Sequence, residues 1–200
     1  MEEQSTSGRN PLLPVFLKLE QLDLLLVGAG NVALEKLTAL LRNAPAARVT
    51  IIAPRVSAAI AELAGKHPGC IIEQRAFQPA DLDGKALAIL ATDDRQLHEA
   101  IRDLSLEKRV LINVADTPEL CDFYLGSVVQ KGSLKIGIST NGKSPTAAKR
   151  IRELLEQALP EELDQLLDHL QEIRSRLTGD FASKVQRMNE ITRALIDQNP

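Results

Sequence analysis

The sequence predicts an α/β protein with a doubly wound, mostly parallel sheet, followed by a β-hairpin and a small helical domain. Apolar runs that suit buried strands alternate with helical patterns up to Asp116. A glycine-containing turn, VGAGNVALEK, follows the first of these runs. After Asp116 the alternation ends, and a hairpin pattern leads into continuous helical patterns. Together these observations indicate a Rossmann-type sheet with an appended C-terminal part.

The elements follow in order along the chain. FLKLEQLDLLLVG contains a short apolar piece followed by the first strand, which ends at Gly28, and residues 31–43 carry apolar side chains at helical spacing. RVTIIA, CIIEQRAF, ALAILAT and RVLINVA are the next strands, with helices between them at 56–65 and 94–107. A hairpin turns at Lys131-Gly132-Ser133, and helices are expected at 145–158, 161–177 and 180–197.

The same patterns predict four regions. They are a flexible arm (1–13), a dinucleotide-binding domain (14–116), a hairpin region (117–145) and a helical domain (146–200).

Composition excludes several classes of function. The net charge of -3 gives no general attraction to nucleic acid, and four Phe and one Tyr offer no stacking platform. No apolar run is long enough to span a membrane, and the polar start is unlike a signal peptide, so a cytoplasmic protein is expected. The two cysteines and three histidines lack metal-ligand spacing, which predicts no permanent metal site. Cys121 is interpreted as a packing residue.

The turn GAGNVA carries the first functional signal. Gly28 permits a tight turn after the strand, Gly30 lets the backbone approach a pyrophosphate, and Ala33 allows close helix–strand packing. The amide groups at the start of the following helix would face the phosphates. The alternative is a close-packed turn that binds no ligand.

The carboxylate that usually holds the ribose, about 20 residues further on, is missing. The second strand ends instead in Ala53, Pro54 and Arg55. Arg55 could favour the 2′-phosphate of NADP, or main-chain groups near Pro54 and Arg55 could hold the ribose. The residues alone leave both possibilities open.

Polar residues also follow the later strands, at the edge where open α/β sheets bind ligands. Thr92 and Asp93 follow one strand and could either cap the next helix or contact the cofactor. Asn113 lies at the end of the next strand. Asp116 follows it, with no helical pattern behind, and could accept a proton or form an Asx-turn before Pro118.

A basic window extends from Asp122 to Glu153, between which no acidic residue occurs. At its centre a polar loop leads into a helix that is expected to begin at Pro145, with Ser144 as its N-cap. Its hydroxyl, amide and cationic groups would suit a substrate with many carboxylates. The alternative is a solvated basic helix face. The predicted substrate-binding residues are Ser139, Thr140, Asn141, Gly142, Lys143 and Ser144.

Taken together, VGAGNVALEK, ATDD, NVAD, KGSLKIGIST and STNGKSP resemble the precorrin-2 dehydrogenase/sirohydrochlorin ferrochelatase family. That family forms the first half of bifunctional siroheme synthases and also occurs as stand-alone enzymes. The resemblance implies NAD⁺-dependent oxidation of precorrin-2 to sirohydrochlorin, insertion of Fe²⁺ as a substrate to give siroheme, and a homodimer built through the hairpin region.

The resemblance also assigns residues. It implies that Asp116 is the proton acceptor, that Gly28 to Val32, including Asn31, form the NAD loop, and that Pro54 and Arg55 lie beside the ribose. With the strand-end residues Thr92, Asp93 and Asn113, these are the predicted cofactor-binding positions. Two alternatives remain: a dehydrogenase without chelatase activity, and a non-catalytic NAD-sensing regulatory module.

Overall fold

The computed structural model describes residues 10–193. The α/β part consists of alternating strands and helices: β1 Asp23–Val27, α1 Asn31–Asn43, β2 Arg48–Ile52, α2 Ala58–Gly65, β3 Cys70–Glu73, β4 Leu87–Leu90, α3 Arg95–Lys108 and β5 Leu111–Val114. A hairpin and three helices follow: β6 Ser127–Lys131, β7 Leu134–Ile138, α4 Pro145–Ala158, α5 Leu163–Arg176 and α6 Phe181–Thr192. The predicted fold class is confirmed.

The large sheet has the strand order β3-β2-β1-β4-β5, and its neighbouring strands are parallel. The order reverses at β1, which lies between β2 and β4. Val27 pairs in register with Ile52 and Leu90, and Leu90 pairs with Val114. The carboxyl ends of β1, β2, β4 and β5 therefore lie along one edge, which is where doubly wound sheets bind ligands.

Alternate residues of the central strands enter two hydrophobic cores on opposite faces of the sheet. Leu24 and Leu26 of β1 pack in the core that contains Leu37 of α1. Leu25 packs on the other face, in the core that contains Ile101 of α3. Each of these side chains is at most 2% exposed, and full burial of such a side chain contributes about 1.5–3 kcal/mol. The helices on both faces thus fix the strand ends.

The third strand is shorter than predicted. It ends at Glu73, whereas the apolar pattern extended to Phe77. Arg75 turns out of the strand because its guanidinium binds the Asp81 carboxylate at 2.6 Å and the Glu73 carboxylate at 2.5 Å. The acidic partner Asp81 lies in a short 3-10 helix, Pro79–Leu82.

The hairpin turn packs against the start of α5. Gly132 has a φ of +51°, and a Cβ at this position would overlap the Asp164 carboxylate. The amide of Ser133 donates to Asp164 Oδ1 at 2.6 Å. Only glycine satisfies both the turn geometry and this close approach.

The described residues form two compact units. The first comprises residues 10–127 with Ser139–Pro145, and the second comprises Val128–Ile138 with residues 146–193. Positions 1–9 of the predicted arm and 194–197 of the predicted last helix lie outside the described residues, while residues 10–18 have no regular structure. None of the helices within 10–193 has the length and apolar character needed to cross a membrane.

Candidate functional site

The turn after β1 requires glycine at its first position. Gly28 has a φ of +111°, and a Cβ there would overlap the carbonyl oxygen of Ala91 and lie 3.2 Å from Cγ2 of Thr92. The Gly28 amide donates to the carbonyl of Ile52 at 2.9 Å. The turn is therefore held against the ends of both neighbouring strands, β2 and β4.

Gly30 has a different environment. Its φ is -91°, and a Cβ there would meet no atom within 4 Å. Gly30 is the N-cap of α1 and supplies no capping side chain. Within the described residues the amides of Asn31 and Val32 have no hydrogen-bond acceptor. Open space above free amide groups at a helix start fits the pyrophosphate of a dinucleotide.

The connection after β2 lies against this turn, because the amide of Ser57 donates to the carbonyl of Ala29 at 3.2 Å. Pro54 is exposed, and its carbonyl accepts a hydrogen bond from Gln74 Nε2 at 3.4 Å. Arg55 is exposed and forms no ion pair with the residues the structure describes. The cation and the main chain are thus both accessible at this edge of the sheet.

At the end of β4 the helix cap is Asp94, whose Oδ1 accepts from the amide of Leu97 at 3.0 Å. The capping alternative therefore does not hold for Thr92 and Asp93. The Thr92 hydroxyl lies 2.8 Å from Nε2 of His98 and accepts from the amide of Asp94 at 3.3 Å. Asp93 is exposed, and its carboxylate forms no hydrogen bond or ion pair with the described residues.

Asn113 lies at the end of β5 and is 5% exposed. Its side-chain nitrogen donates to the carbonyl of Phe123 at 2.8 Å and lies 3.6 Å from Sγ of Cys121. This donor ties the chain after β5 back onto the strand, so it is not available to a ligand.

Asp116 has a left-handed backbone, with a φ of +56°, and an exposed side chain. Its carboxylate accepts no hydrogen bond and forms no ion pair within residues 10–193, so the Asx-turn alternative is not formed there. A non-glycine residue in this conformation costs about 1–3 kcal/mol and persists only where its surroundings hold it, and such residues cluster at functional sites. The turn thus presents a free carboxylate.

Cys121 stabilises the turn that contains Asp116 through hydrogen bonds of its sulfur. Its sulfur accepts from the Val114 amide at 3.1 Å, and its thiol lies 3.2 Å from the Val114 carbonyl and 3.4 Å from that of Thr117. Burial raises the pKa of the Cys121 thiol, which stays protonated near neutral pH and can donate. The interpretation of Cys121 as a packing residue was therefore incomplete. Its partners meet it only in the folded chain, so no local pattern signals this role.

Asp122 attaches the segment that follows Asp116 to β5. Its amide donates to the carbonyl of Ile112 at 2.8 Å, and its Oδ2 accepts from the Ile112 amide at 3.0 Å and from Arg102 at 2.6 Å. Burial tends to raise the pKa of Asp122, but the bonds from Arg102 and the amide outweigh it and hold that pKa below its usual range. Residues on both sides of Asp116 are thereby fixed to the sheet.

The predicted substrate loop is a tight turn. The amide of Lys143 donates to the carbonyl of Thr140 at 3.0 Å, and Asn141 and Gly142 have φ values of +52° and +74°. This is the type I′ geometry that Asn-Gly favours. The Thr140 hydroxyl accepts from the amide of Ser144 at 3.3 Å and donates to its carbonyl at 3.1 Å. Nδ2 of Asn10 donates to the carbonyl of Ser139 at 3.4 Å.

The cations of the basic window divide into two groups. In the second unit Lys131 pairs with Glu161, Arg150 with Glu153, and Arg152 with Glu156. The alternative of a solvated helix face therefore accounts for Arg150, which is exposed, but not for Arg152, which is half-buried. Lys143 of the first unit is exposed and forms no ion pair with the described residues. It is the cation of the loop that stays available to an anionic ligand.

The structure thus brings the predicted cofactor residues to one edge of the sheet. Hydrogen bonds and close packing connect the turns after β1, β2 and β4, and Asp116 follows β5 at the same edge. Residues 139–143 form a separate cluster, with no hydrogen bond to these strand ends within the described residues. Cys121, Asp122 and His98 were not predicted as site residues, although Cys121 contacts Val114 and His98 contacts Thr92 at this edge, and Asp122 contacts Ile112 within β5.

Comparison with known families gives two matches. Residues 15–127 match the family described as "Putative NAD(P)-binding", and residues 131–158 match the family described as "Sirohaem biosynthesis protein central". The first match covers the parallel sheet and the glycine turn, and the second covers most of the hairpin and α4.

Related proteins carry the name siroheme synthase. The one from Nitrosococcus oceani is 39% identical over 178 residues, which cover 86% of this chain and 37% of that protein. The one from Methylococcus capsulatus is 37% identical over 176 residues, which cover 88% and 35%. The chain therefore spans about a third of the length of these relatives.

A solved structure named "SirC, precorrin-2 dehydrogenase" superposes with a TM-score of 0.70 at 27% identity. The superposition covers 90% of this chain and 89% of that one, so the two folds agree over nearly their full lengths. The resemblance to the precorrin-2 dehydrogenase family, predicted from the motifs, is confirmed.

Proposed function

The chain belongs to the putative NAD(P)-binding family, and we propose that it oxidises precorrin-2 to sirohydrochlorin with NAD⁺. The observation that carries the proposal is the free carboxylate of Asp116, held in a left-handed turn at the edge of the sheet that carries the glycine turn. The superposition on a precorrin-2 dehydrogenase supports the same substrate.

The residues that would hold the dinucleotide lie along this edge. The amides of Asn31 and Val32 would bind its pyrophosphate, with Gly30 allowing the approach. Pro54 and Arg55 would lie beside its ribose, and Thr92 and Asp93 beside its remaining part. When bound, NAD⁺ supplies the acceptor for the hydride that leaves the substrate.

Asp116 would take the proton. Oxidation of precorrin-2 removes one hydride and one proton from the macrocycle, and a positioned carboxylate is suited to accept the proton. The absence of a hydrogen bond to this carboxylate within residues 10–193 keeps both of its oxygens available. Cys121 and Asp122 would act through the backbone, by keeping the carboxylate in place.

The loop 139–144 would bind carboxylates of the tetrapyrrole. Lys143 provides an exposed cation, and the turn presents hydroxyl and amide groups beside it. Amide and hydroxyl donors next to a cation form strong, charge-assisted hydrogen bonds to carboxylates.

The proposal is tested by incubating the protein with precorrin-2 and NAD⁺ under anaerobic conditions and following the absorbance of sirohydrochlorin. We expect sirohydrochlorin and NADH to appear in equal amounts. A parallel incubation with NADP⁺ is carried out on the protein and on Arg55→Ala. It decides whether Arg55 binds the 2′-phosphate of NADP or whether main-chain groups near Pro54 and Arg55 hold the ribose. NADH binding without turnover would instead support the NAD-sensing module.

Ferrochelation remains a prediction of the resemblance. It is tested by adding Fe²⁺, as substrate, to the protein with purified sirohydrochlorin and recording siroheme formation above the rate without protein. Siroheme formed at the background rate would leave the chain a dehydrogenase only.

Two further features are proposed with this function. The protein would form a homodimer, which the exposed apolar side chains of Phe181 (80%) and Leu154 (64%) support. It would act in the cytoplasm, without nucleic acid as a partner. Light scattering after gel filtration tests the dimer, and a mass of 21.9 kDa would contradict it.

A further inference from the structure

We infer that His98 is a positioning residue of the nucleotide site, where it directs the hydroxyl proton of Thr92 towards the bound dinucleotide. This inference rests on the proposed NAD site. It assigns a role to a buried imidazole that the proposed reaction does not use.

The location of His98 sets it apart from the other buried polar residues. Three such residues occur within 10–193: His98, Ser105 and Asn113. Ser105 and Asn113 donate to backbone carbonyls, of Arg102 and Phe123. The imidazole of His98 has no backbone partner among the described residues and contacts the hydroxyl of Thr92 at 2.8 Å. His98 is 4% exposed, so this contact is shielded from water.

The hydrogen bonds around Thr92 determine where its proton points. A hydroxyl has two acceptor positions and one proton. The amide of Asp94 donates to the Thr92 oxygen at 3.3 Å and fills one position. If Nε2 of His98 carries its proton, it fills the other. The Thr92 proton must then point away from both groups.

We assign the remaining direction to the ligand edge, because Thr92 lies at the carboxyl end of β4 beside the glycine turn. The methyl group of Thr92 lies 3.2 Å from the point where a Cβ on Gly28 would be, so Thr92 lies beside the glycine turn. A hydroxyl donor at this place suits an oxygen acceptor of the dinucleotide. Without His98 the hydroxyl could rotate, and this donor would lose its fixed direction.

The imidazole is suited to this task because it stays neutral. Burial lowers the pKa of His98, and the nearby carboxylates of Asp94 and Asp93 oppose the shift without reversing it. A neutral imidazole carries one N–H, so the ring nitrogen that faces Thr92 can be a defined donor.

The first test measures NADH binding by fluorescence, without any tetrapyrrole. We expect Thr92→Val and His98→Leu each to raise the Kd about five- to tenfold, the effect of one hydrogen bond. The double variant should bind no more weakly than either single variant, because both changes remove the same donor. His98→Gln, which keeps an amide donor on a side chain of similar reach, should bind within about twofold of the unaltered protein.

Two results would overturn the inference: effects of Thr92→Val and His98→Leu that multiply in the double variant, or unchanged binding in His98→Leu. If the unaltered protein binds NADH but does not oxidise precorrin-2, the proposed reaction fails while the inference stands. Thermal unfolding of each variant checks that it is folded, and His98→Gln provides the reference if His98→Leu is not.

A second test needs no ligand. Nitrogen-15 NMR of the imidazole identifies which ring nitrogen carries the proton. We expect the proton on Nε2, next to Thr92. A proton on Nδ1 would make Thr92 the donor to His98, and its hydroxyl could not then donate to the dinucleotide.

Discussion

The turns that follow β1 and β5 lie at the same edge of the sheet and use a positive φ in opposite ways. At Gly28 the positive φ belongs to a residue without a side chain, because a Cβ would overlap the carbonyl of Ala91. At Asp116 a similar backbone presents a side chain, and its carboxylate is exposed. One turn is packed against a neighbouring strand end, and the other presents a carboxylate to solvent.

The two turns also differ in what stabilises them. Close packing against the neighbouring strands fixes the first, so glycine alone satisfies it. Side-chain hydrogen bonds from Cys121 and Asp122 fix the second, from a segment several residues further along the chain. The proposed binding turn can therefore be encoded locally, whereas the position of the proposed proton acceptor, Asp116, depends on contacts made by folding.

The largest effect is expected at Asp116. Replacing Asp116 by Ala should lower kcat for precorrin-2 oxidation at least about 100-fold, the lower range for loss of a positioned base. The Kd of NADH should stay unchanged, since the glycine turn is intact. Glu119→Gln, an exposed carboxylate of the same segment that pairs with Arg95, is the matched control and should retain its kcat. Full activity of Asp116→Ala would refute the assignment.

The two glycines of the first turn should separate stability from binding. Gly28→Ala should lower the free energy of unfolding by more than about 2 kcal/mol, because it adds backbone strain and an overlap with Ala91. Gly30→Ala should change that free energy by less than about 0.5 kcal/mol but raise the Kd of NADH about tenfold or more. Urea titration and NADH fluorescence measure the two quantities. Equal destabilisation by both substitutions would contradict the packing argument.

Cys121 tests whether the second turn depends on its hydrogen bonds. Cys121→Ala leaves the amide of the buried residue Val114 without its partner and should lower the free energy of unfolding by about 1–3 kcal/mol. The displaced carboxylate should lower kcat up to about tenfold at unchanged KM for NAD⁺. Cys121→Ser keeps a donor and an acceptor and should recover most of the kcat. A kcat equal to that of the unaltered protein in Cys121→Ala would show that Asp116 needs no such support.

The smallest effect is a pH dependence of stability from Asp122. Its pKa is lowered in the folded protein, so the ionised form stabilises the fold above the unfolded-chain pKa of about 3.9. That contribution is lost as the pH falls through the lower folded value. Asp122→Asn should therefore be less stable than the parent above about pH 5, and the difference should narrow on acidification. A constant difference from pH 7 to pH 3 would exclude the ionised pair with Arg102 as its source.

The sheet and its glycine turn were predictable because their signals are local. Apolar runs of four to six residues place β1, β2, β4 and β5 correctly, and the turn lies where GAGNVA predicts it. The boundary of β3 was not predictable, since it depends on the ion pair between Arg75 and Asp81. The N-cap residue of α3 was not predictable either, because Thr92, Asp93 and Asp94 are all suitable capping residues.

The candidate site was predictable only in part. Strand ends in parallel register bring Thr92 and Asp116 to the edge with the glycine turn, as expected from the fold class. Two contacts form only in the folded chain: the hydrogen bonds of Cys121 and the contact of His98 with Thr92. No periodicity in the sequence signals them. The exposure of the Asp116 carboxylate also depends on the conformation of its turn, so it could not be predicted from the sequence.

The central claim is that the turn after β1 binds the dinucleotide while the turn after β5 accepts the proton. The most direct measurement determines the Kd of NADH and the single-turnover rate of precorrin-2 oxidation, at saturating NAD⁺, for Gly30→Ala and Asp116→Asn. We expect Gly30→Ala to weaken binding but keep most of the rate, and Asp116→Asn to bind normally but lose the rate. Normal turnover by Asp116→Asn would contradict this assignment of roles to the two turns. It would also be contradicted if Asp116→Asn lost NADH binding while Gly30→Ala bound NADH normally.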